Sequence, residues 1–182
     1  MMIDNVVNRV MNEVPNSNVV SVKAAIVEGF IEFCKETWVW ELETVAWVRE
    51  GRKTGTIRKP KASSVIGIVS WESQHTSTPP TLYRGEEVSV PTVTTSDIQY
   101  SLTVAVIPED TVTEIPDWIY TSHGKAIIAY AKHTLLMMRD KSWTDPGRAQ
   151  TLHAQFTDAV NDTKRAINNA RMLGNNRIRL GA

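Results

Sequence analysis

The sequence predicts an α+β fold that is mainly helical, an antiparallel four-helix bundle with a β-strand insertion between helices 2 and 3. Near both ends of the chain, apolar residues recur every three or four positions, which is the period of a helix with one buried face. In the middle of the chain the period changes to two, as in a strand. The short connections at 15–18 and 139–144 favour antiparallel neighbours among the helices.

The first two helices are predicted within residues 1–41. An apolar stripe from Ile3 to Val14 marks a short first helix, which the sequence Pro-Asn-Ser-Asn at 15–18 ends. A second stripe runs from Val22 to Thr37. Because each stripe must be covered by another element, these helices are expected to share one bundle with the later pair.

The β insertion is assigned to residues 42–114. Its clearest strand covers 98–106, where Ile98, Tyr100, Leu102, Val104 and Val106 alternate with polar or small residues. The β-branched run from Val65 to Trp71 predicts another strand, and the segment from Thr44 to Val48 is either a strand or a helix end. Turn or edge signals separate these segments at Pro79-Pro80, Arg84-Gly85 and Pro91.

The second pair of helices is predicted within residues 115–174. The third helix begins near Ile115-Pro116-Asp117. The fourth begins at Asp145-Pro146, because the aspartate can cap free amide groups and proline is well tolerated at a first helical position. A regular apolar stripe then continues to Gly174, a residue type that favours the left-handed conformation at a helix end. This last helix, about 28 residues and roughly 40 Å long, would leave residues 175–182 as a tail.

Segments at both ends of the chain resemble the head-to-tail adaptor (connector) proteins of tailed bacteriophages. They are Ile-Pro-Asp-Trp-Ile-Tyr at 115–120, Lys-Ser-Trp-Thr-Asp-Pro at 141–146, Phe156 through Ala159 to Asn168, Lys23-Ala24-Ala25, and the run from Phe30 to Trp38. The pieces are packing and capping residues in a shared order, and no chemical signature is among them. The resemblance does not extend to the middle of the chain.

The resemblance implies a structural virion protein that forms a ring of twelve copies at the head–tail interface and is assembled in the host cytoplasm. Its partners would be the portal protein, a tail or nozzle protein, other copies of itself, and genomic DNA that passes through the channel without sequence readout. In this family the C-terminal extension reaches into the portal. The resemblance therefore assigns portal docking to Arg177, Ile178, Arg179 and Leu180. These residues belong to a tail that is expected to become ordered only when it docks.

A strongly basic segment lies at residues 49–61. It has six cations against one carboxylate, namely Arg49, Arg52, Lys53, Arg58, Lys59 and Lys61. Its glycines do not have the spacing of a phosphate-binding loop, in which a glycine stands five residues before a Gly-Lys pair. The segment is either a solvated loop or a contact to a partner or to DNA. A nucleic-acid-binding module is therefore the alternative function, although equal numbers of basic and acidic residues, 20 of each, weigh against it.

No residue pattern predicts a catalytic, cofactor or metal site, so an enzyme is not expected. The histidines, His75, His123, His133 and His153, are scattered and lack the spacing that places two metal ligands on one helical face. The single cysteine, Cys34, has no adjacent base and is expected to be a buried small side chain. A membrane protein is not expected either, because no apolar run of about 20 residues occurs.

Three tryptophans, Trp38, Trp40 and Trp47, lie close together where the second helix gives way to the insertion. Aromatic residues are enriched both in protein cores and at the centres of interfaces, so the cluster is either a core junction or a subunit contact. A ring requires such contacts on two different faces, because closed rotational symmetry is built from non-identical patches.

Overall fold

The computed structural model describes residues 1–59, 61–74, 76–84, 86–139 and 141–179, with side chains through residue 172. The chain divides into two compact units. A helical unit comprises Met1–Val39 and the described residues from Val112 onward, and a β unit comprises Trp40–Thr111. The predicted limits of the β insertion were 41/42 and 114/115.

The helical unit contains four helices among its described residues: α1 (Ile3–Glu13), α2 (Val19–Thr37), α3 (Asp117–Leu136) and α4 (Pro146–Arg179). The Asn18 side chain accepts a hydrogen bond from the Ser21 amide at 2.8 Å and so caps the start of α2. At the start of α4, Asp145 Oδ1 accepts from the Arg148 amide at 3.0 Å, which confirms the predicted cap. The left-handed backbone of Trp38, with φ of 54°, ends α2.

The core of the helical unit lies between α2, α3 and α4. Helix α1 packs on α2. Helices α2 and α3 lie side by side, and α4 packs mainly against α3. The buried side chains include Val10, Ile26, Phe30, Phe33, Ile127, Leu135 and Phe156. Among the described side chains of α4, the buried ones are Ala149, Phe156, Val160 and Thr163, and none lies beyond the eighteenth residue of this helix. Beyond them Met172 is 67% exposed, so the described core does not extend to the far end of α4.

The predicted antiparallel four-helix bundle is wrong. The strands build a unit with a hydrophobic core of its own. α1 has 11 residues and α4 has 34, so the four helices do not run side by side over a common length. An apolar stripe indicates that a helix is covered, but its period does not specify the covering element. The fold of the described residues is α+β, with four helices and two three-stranded antiparallel sheets.

The predicted end of the last helix at Gly174 is also wrong. The backbone of α4 remains helical through this glycine to Arg179, which gives a helix of roughly 50 Å. Glycine permits the left-handed conformation but does not require it, and here the chain keeps right-handed helical geometry. Residues 175–179, expected to be a non-helical tail, therefore have helical backbone, whereas Leu180 lies outside the described residues.

The described part of the β unit contains six strands: β1 (Glu41–Val48), β2 (Thr54–Thr56), β3 (Ser63–Glu72), β4 (Thr81–Tyr83), β5 (Glu87–Ser89) and β6 (Ile98–Pro108). They form two antiparallel sheets, ordered β1-β6-β3 and β2-β5-β4. The alternating segment 98–106 lies in β6, as predicted. The segment 44–48, for which a strand and a helix end were both open, is strand.

β6 is the central strand of the first sheet, and one face of that sheet forms most of the β-unit core. Buried residues from both sheets meet there, among them Ala46, Val48, Val65, Val88, Tyr100, Leu102 and Val104. Trp40 packs against the same core. The alternation along β6 thus places one set of side chains inside the unit and leaves the other set on the opposite face of the sheet.

Candidate functional site

The basic segment at 49–61 forms the connection from β1 through β2 toward β3, and we call it the basic hairpin. Its first turn is fixed by hydrogen bonds to a distant part of the β unit. The Gly51 amide donates to the Thr94 carbonyl at 2.9 Å, and the Thr94 hydroxyl donates to the Arg49 carbonyl at 2.7 Å. The Glu50 amide donates to Asp97 Oδ1 at 2.8 Å. The backbone that carries the first cations is therefore held in place rather than left as a free loop.

Close packing of β2 against β1 fixes the second part of the hairpin. A Cβ atom added at Gly55 would lie 2.1 Å from the carbonyl oxygen of Trp47, so the two backbones approach at a distance that only glycine allows. The Thr44 hydroxyl adds a hydrogen bond of 2.6 Å to the Arg58 carbonyl. Both contacts connect the hairpin to β1, the strand that also carries Trp47.

Five of the six predicted contact cations have exposed side chains and form no ion pair with another described residue. They are Arg49, Arg52, Lys53, Arg58 and Lys61. Lys59 differs, because its ammonium group lies 2.6 Å from Glu86 and 3.2 Å from Glu109. The hydrogen bond to Glu86, and then the one to Glu109, raise the pKa of Lys59 above its usual value. Lys59 is thus engaged within the β unit, and five cations remain available to a partner.

Negatively charged side chains lie on the solvent-facing side of the β1-β6-β3 sheet, which we call the open sheet face. Register places Glu43 opposite Thr103, Val45 opposite Ser101, and Trp47 opposite Gln99. Ser101 in turn pairs with Glu72 of β3, so both glutamates lie on this face. Val45 is 37% and Trp47 53% exposed. Glu43 and Glu72 form no ion pair with another described residue, so this face combines an apolar centre with two available carboxylates.

A cavity of about 550 Å³ adjoins the open sheet face. Its lining consists of Trp71, Glu72, Ser73, Gln74, Thr76, Ser77, Gln99 and Ser101. Glu72 is the charged member of this described lining, and hydroxyl and amide groups make up most of the rest. Such a lining suits a basic side chain, because the carboxylate supplies the opposite charge and the neutral groups supply hydrogen-bond acceptors.

The charges of the β unit are unevenly distributed. Six of the seven cationic residues in 40–111 belong to the basic hairpin, and Arg84 is the seventh. Arg84 stacks on the ring of Tyr83 with a distance of 5.0 Å to the ring centre. The cations of the unit are therefore concentrated at the hairpin, where Glu50, Glu86 and Asp97 also lie, while the open sheet face carries Glu43 and Glu72 beside exposed apolar side chains. The chain as a whole has no net charge.

The predicted portal-docking residues and Cys34 belong to the helical unit. Arg177, Ile178 and Arg179 belong to the end of α4, where the backbone but not the side chains is described, and Leu180 lies outside the described residues. Cys34 is buried in α2, and burial raises the pKa of its thiol, which disfavours a reactive thiolate. Trp47 is the most exposed of the three clustered tryptophans.

Two features of the structure were not predicted from the sequence. The first is the open sheet face, whose members come from three strands that only the register brings together. The second is the pair His133 and His153, whose ring centres lie 4.7 Å apart although 20 positions separate them in the chain. The only sequence signal for the first was the alternation from Glu41 to Val48, and no local signal marks the second.

Two properties of the described residues bear on function. No group of three or more His, Cys, Asp and Glu side chains in the described ranges is arranged to hold a metal ion. Among the helices as described, none is both long and apolar enough to cross a bilayer. Comparison of the sequence with known proteins adds no family assignment, because neither a protein-family model nor a curated protein sequence matches this chain.

Proposed function

We propose that this chain is a structural virion protein, a head-to-tail adaptor that forms a ring of twelve copies between the portal and the tail of a phage. The observation that carries the proposal is the pair of oppositely charged surfaces on the β unit. A closed ring requires each copy to offer two different, mutually complementary patches. The basic hairpin and the open sheet face meet this requirement, and the adaptor-like segments of the helical unit agree with it.

The apolar centre of the open sheet face gives such a contact more than charge. Exposed ion pairs contribute only about 0–1 kcal/mol each, so a few pairs alone would not hold a ring together. Large aromatic side chains near the middle of an interface contribute much more, and Trp47 is an exposed aromatic residue on this face, four positions from Glu43 along β1. In the proposed contact, the cations of the basic hairpin of one copy surround Trp47 of the next copy. They determine the orientation of the two copies relative to each other.

The proposed portal contact lies at the other end of the chain, at Arg177, Ile178, Arg179 and Leu180. α4 supports this placement, because its described buried residues end at Thr163 and its backbone continues to Arg179. A helix end of this kind can enter a groove on a partner without disturbing the core of its own unit. The opposite side of the ring would meet the tail or nozzle protein.

Deletion of residues 175–182 is expected to abolish attachment to the portal and to leave the chain folded. The deleted part begins about three helical turns after Thr163, the last buried residue among the described side chains of α4, so we expect its loss to remove little core packing. Thermal unfolding should occur within a few degrees of the full-length midpoint, and co-sedimentation with purified portal particles should be lost. Full-occupancy binding by the truncated chain would contradict this role for the C-terminal residues.

The second candidate is a nucleic-acid-binding module, which the five available cations of the fixed hairpin favour. Lysine and arginine on one surface are the usual contacts to phosphates. The charge change Glu43→Lys distinguishes the candidates, because it places a new cation on the acidic surface. If the chain is a ring-forming adaptor, this substitution should weaken the contact between copies. If the chain is a nucleic-acid-binding module, the same substitution should strengthen binding to a DNA duplex at fixed salt. An unchanged ring together with tighter DNA binding would favour the nucleic-acid module.

A further inference from the structure

The two histidines brought together between α3 and α4 form a site that the proposed ring does not use. His133 is half-buried on α3, and His153 is exposed on α4. Their ring centres are 4.7 Å apart with an angle of 51° between the ring planes. The rings are therefore close and tilted, a geometry within the range of ordinary aromatic contacts.

A hydrogen bond to the backbone selects the tautomer of the neutral His133 ring. Its Nδ1 lies 3.0 Å from the carbonyl oxygen of Ala149, one turn before His153 on α4. A carbonyl oxygen only accepts, so Nδ1 carries the proton and the neutral ring has its lone pair on Nε2. Metal-binding histidines usually have this arrangement, with one ring nitrogen donating to a carbonyl while the other binds the ion.

The separation of the rings matches that of two imidazoles bound to one cation. A zinc–nitrogen bond of about 2.0–2.1 Å places the metal roughly 3.2 Å from each ring centre, so two ligands at a tetrahedral angle have ring centres about 5 Å apart. The observed 4.7 Å is close to this value. Tyr130 packs edge-on against His133, with 6.1 Å between ring centres, and limits the movement of that ring.

We propose that His133 and His153 form a two-histidine binding site for a divalent transition-metal cation such as Zn²⁺. His133 would bind through Nε2, and His153 would supply the second nitrogen from α4. No third side chain of the ligand types is grouped with them among the described residues, so water would complete the coordination sphere. Imidazole ligands favour zinc, copper and nickel over magnesium. A bound ion would connect α3 to α4 and stabilise the helical unit.

The test is calorimetric titration of the full-length chain with ZnCl₂ at pH 7.5, without chelating buffer components. We expect one zinc ion per chain and a higher unfolding midpoint when zinc is present, because a ligand that binds the folded state stabilises it. Mg²⁺ should produce neither effect. Absence of zinc binding, or zinc binding that leaves the unfolding midpoint unchanged, would overturn the proposal.

Variants at each ligand test the assignment. His153→Gln removes a ligand from an exposed position and should weaken zinc binding at least about tenfold. His133→Asn should do the same while its amide group can still donate to the Ala149 carbonyl. His123→Gln is the matched control, because His123 belongs to the same unit but not to the His133–His153 pair. Its ring packs against Phe33, with 4.9 Å between the ring centres. Equal zinc affinity in His153→Gln and wild type, or loss of affinity only in His123→Gln, would overturn the proposal.

Discussion

Reversal of either charged surface of the β unit is expected to prevent ring assembly, and mixing the two reversed chains is expected to restore it. One variant carries Glu43→Lys and Glu72→Lys on the open sheet face. The other carries Arg49→Glu, Arg52→Glu and Lys53→Glu on the basic hairpin. In a head-to-tail ring of one variant, every contact then places like charges together. Each such contact costs several kcal/mol, so the concentration needed for assembly should rise at least about 100-fold.

An equimolar mixture restores opposite charges at every contact if the two variants alternate around the ring. An even number of copies, as in a ring of twelve, permits this alternation. Rescue in the mixture also shows that each variant is folded, because a misfolded chain would not complement its partner. Asp110→Lys is the matched control, since it reverses an exposed charge on the same unit outside both surfaces. Failure of the mixture of two folded variants would contradict the proposed contact.

Phe156→Ala is expected to lower the free energy of unfolding of the helical unit by about 3–5 kcal/mol. Phe156 is only 5% exposed. The centre of its ring lies 4.8 Å from the ring centre of Tyr130 on α3 and 6.2 Å from that of Phe33 on α2. Its truncation leaves a cavity where three helices meet, and these helices are too well packed to close it fully.

Urea denaturation followed by far-ultraviolet circular dichroism measures this loss. Met172→Ala on the exposed part of α4 is the matched control, because it also truncates a large apolar side chain of that helix but should change the free energy of unfolding by less than about 0.5 kcal/mol. Equal, small effects of the two substitutions would mean that α4 does not depend on Phe156 for its packing.

Local features of the fold were predictable because their causes are local. The cap at Asp145 and the proline after it mark the start of α4, and the alternation in 98–106 marks β6. The arrangement of the helices was not predictable in the same way. A stripe on α1 requires a covering element, but the covering element is chosen by contacts far apart in the sequence. The same stripe is compatible with a four-helix bundle and with the α+β fold observed.

The same distinction between local causes and contacts far apart in the sequence applies to the candidate site. The cations of the basic hairpin are adjacent in sequence, so their density was evident, although the ion pairs of Lys59 were not. Glu43 and Glu72 come from the two edge strands of a sheet, and their shared face follows from the register with β6. His133 and His153 meet across two helices. Sequence spacing indicates ligands on one helix face but not pairs formed between helices.

The most direct test of the proposed head-to-tail ring is a cryo-electron microscopy reconstruction of the wild-type chain mixed with purified phage portal particles. We expect twelve copies related by rotation about the channel, with each basic hairpin against the open sheet face of the next copy. Deletion of 175–182 should leave the portal bare in the same preparation. A dimer with two-fold symmetry, or a ring in which both charged surfaces face solvent, would contradict the account.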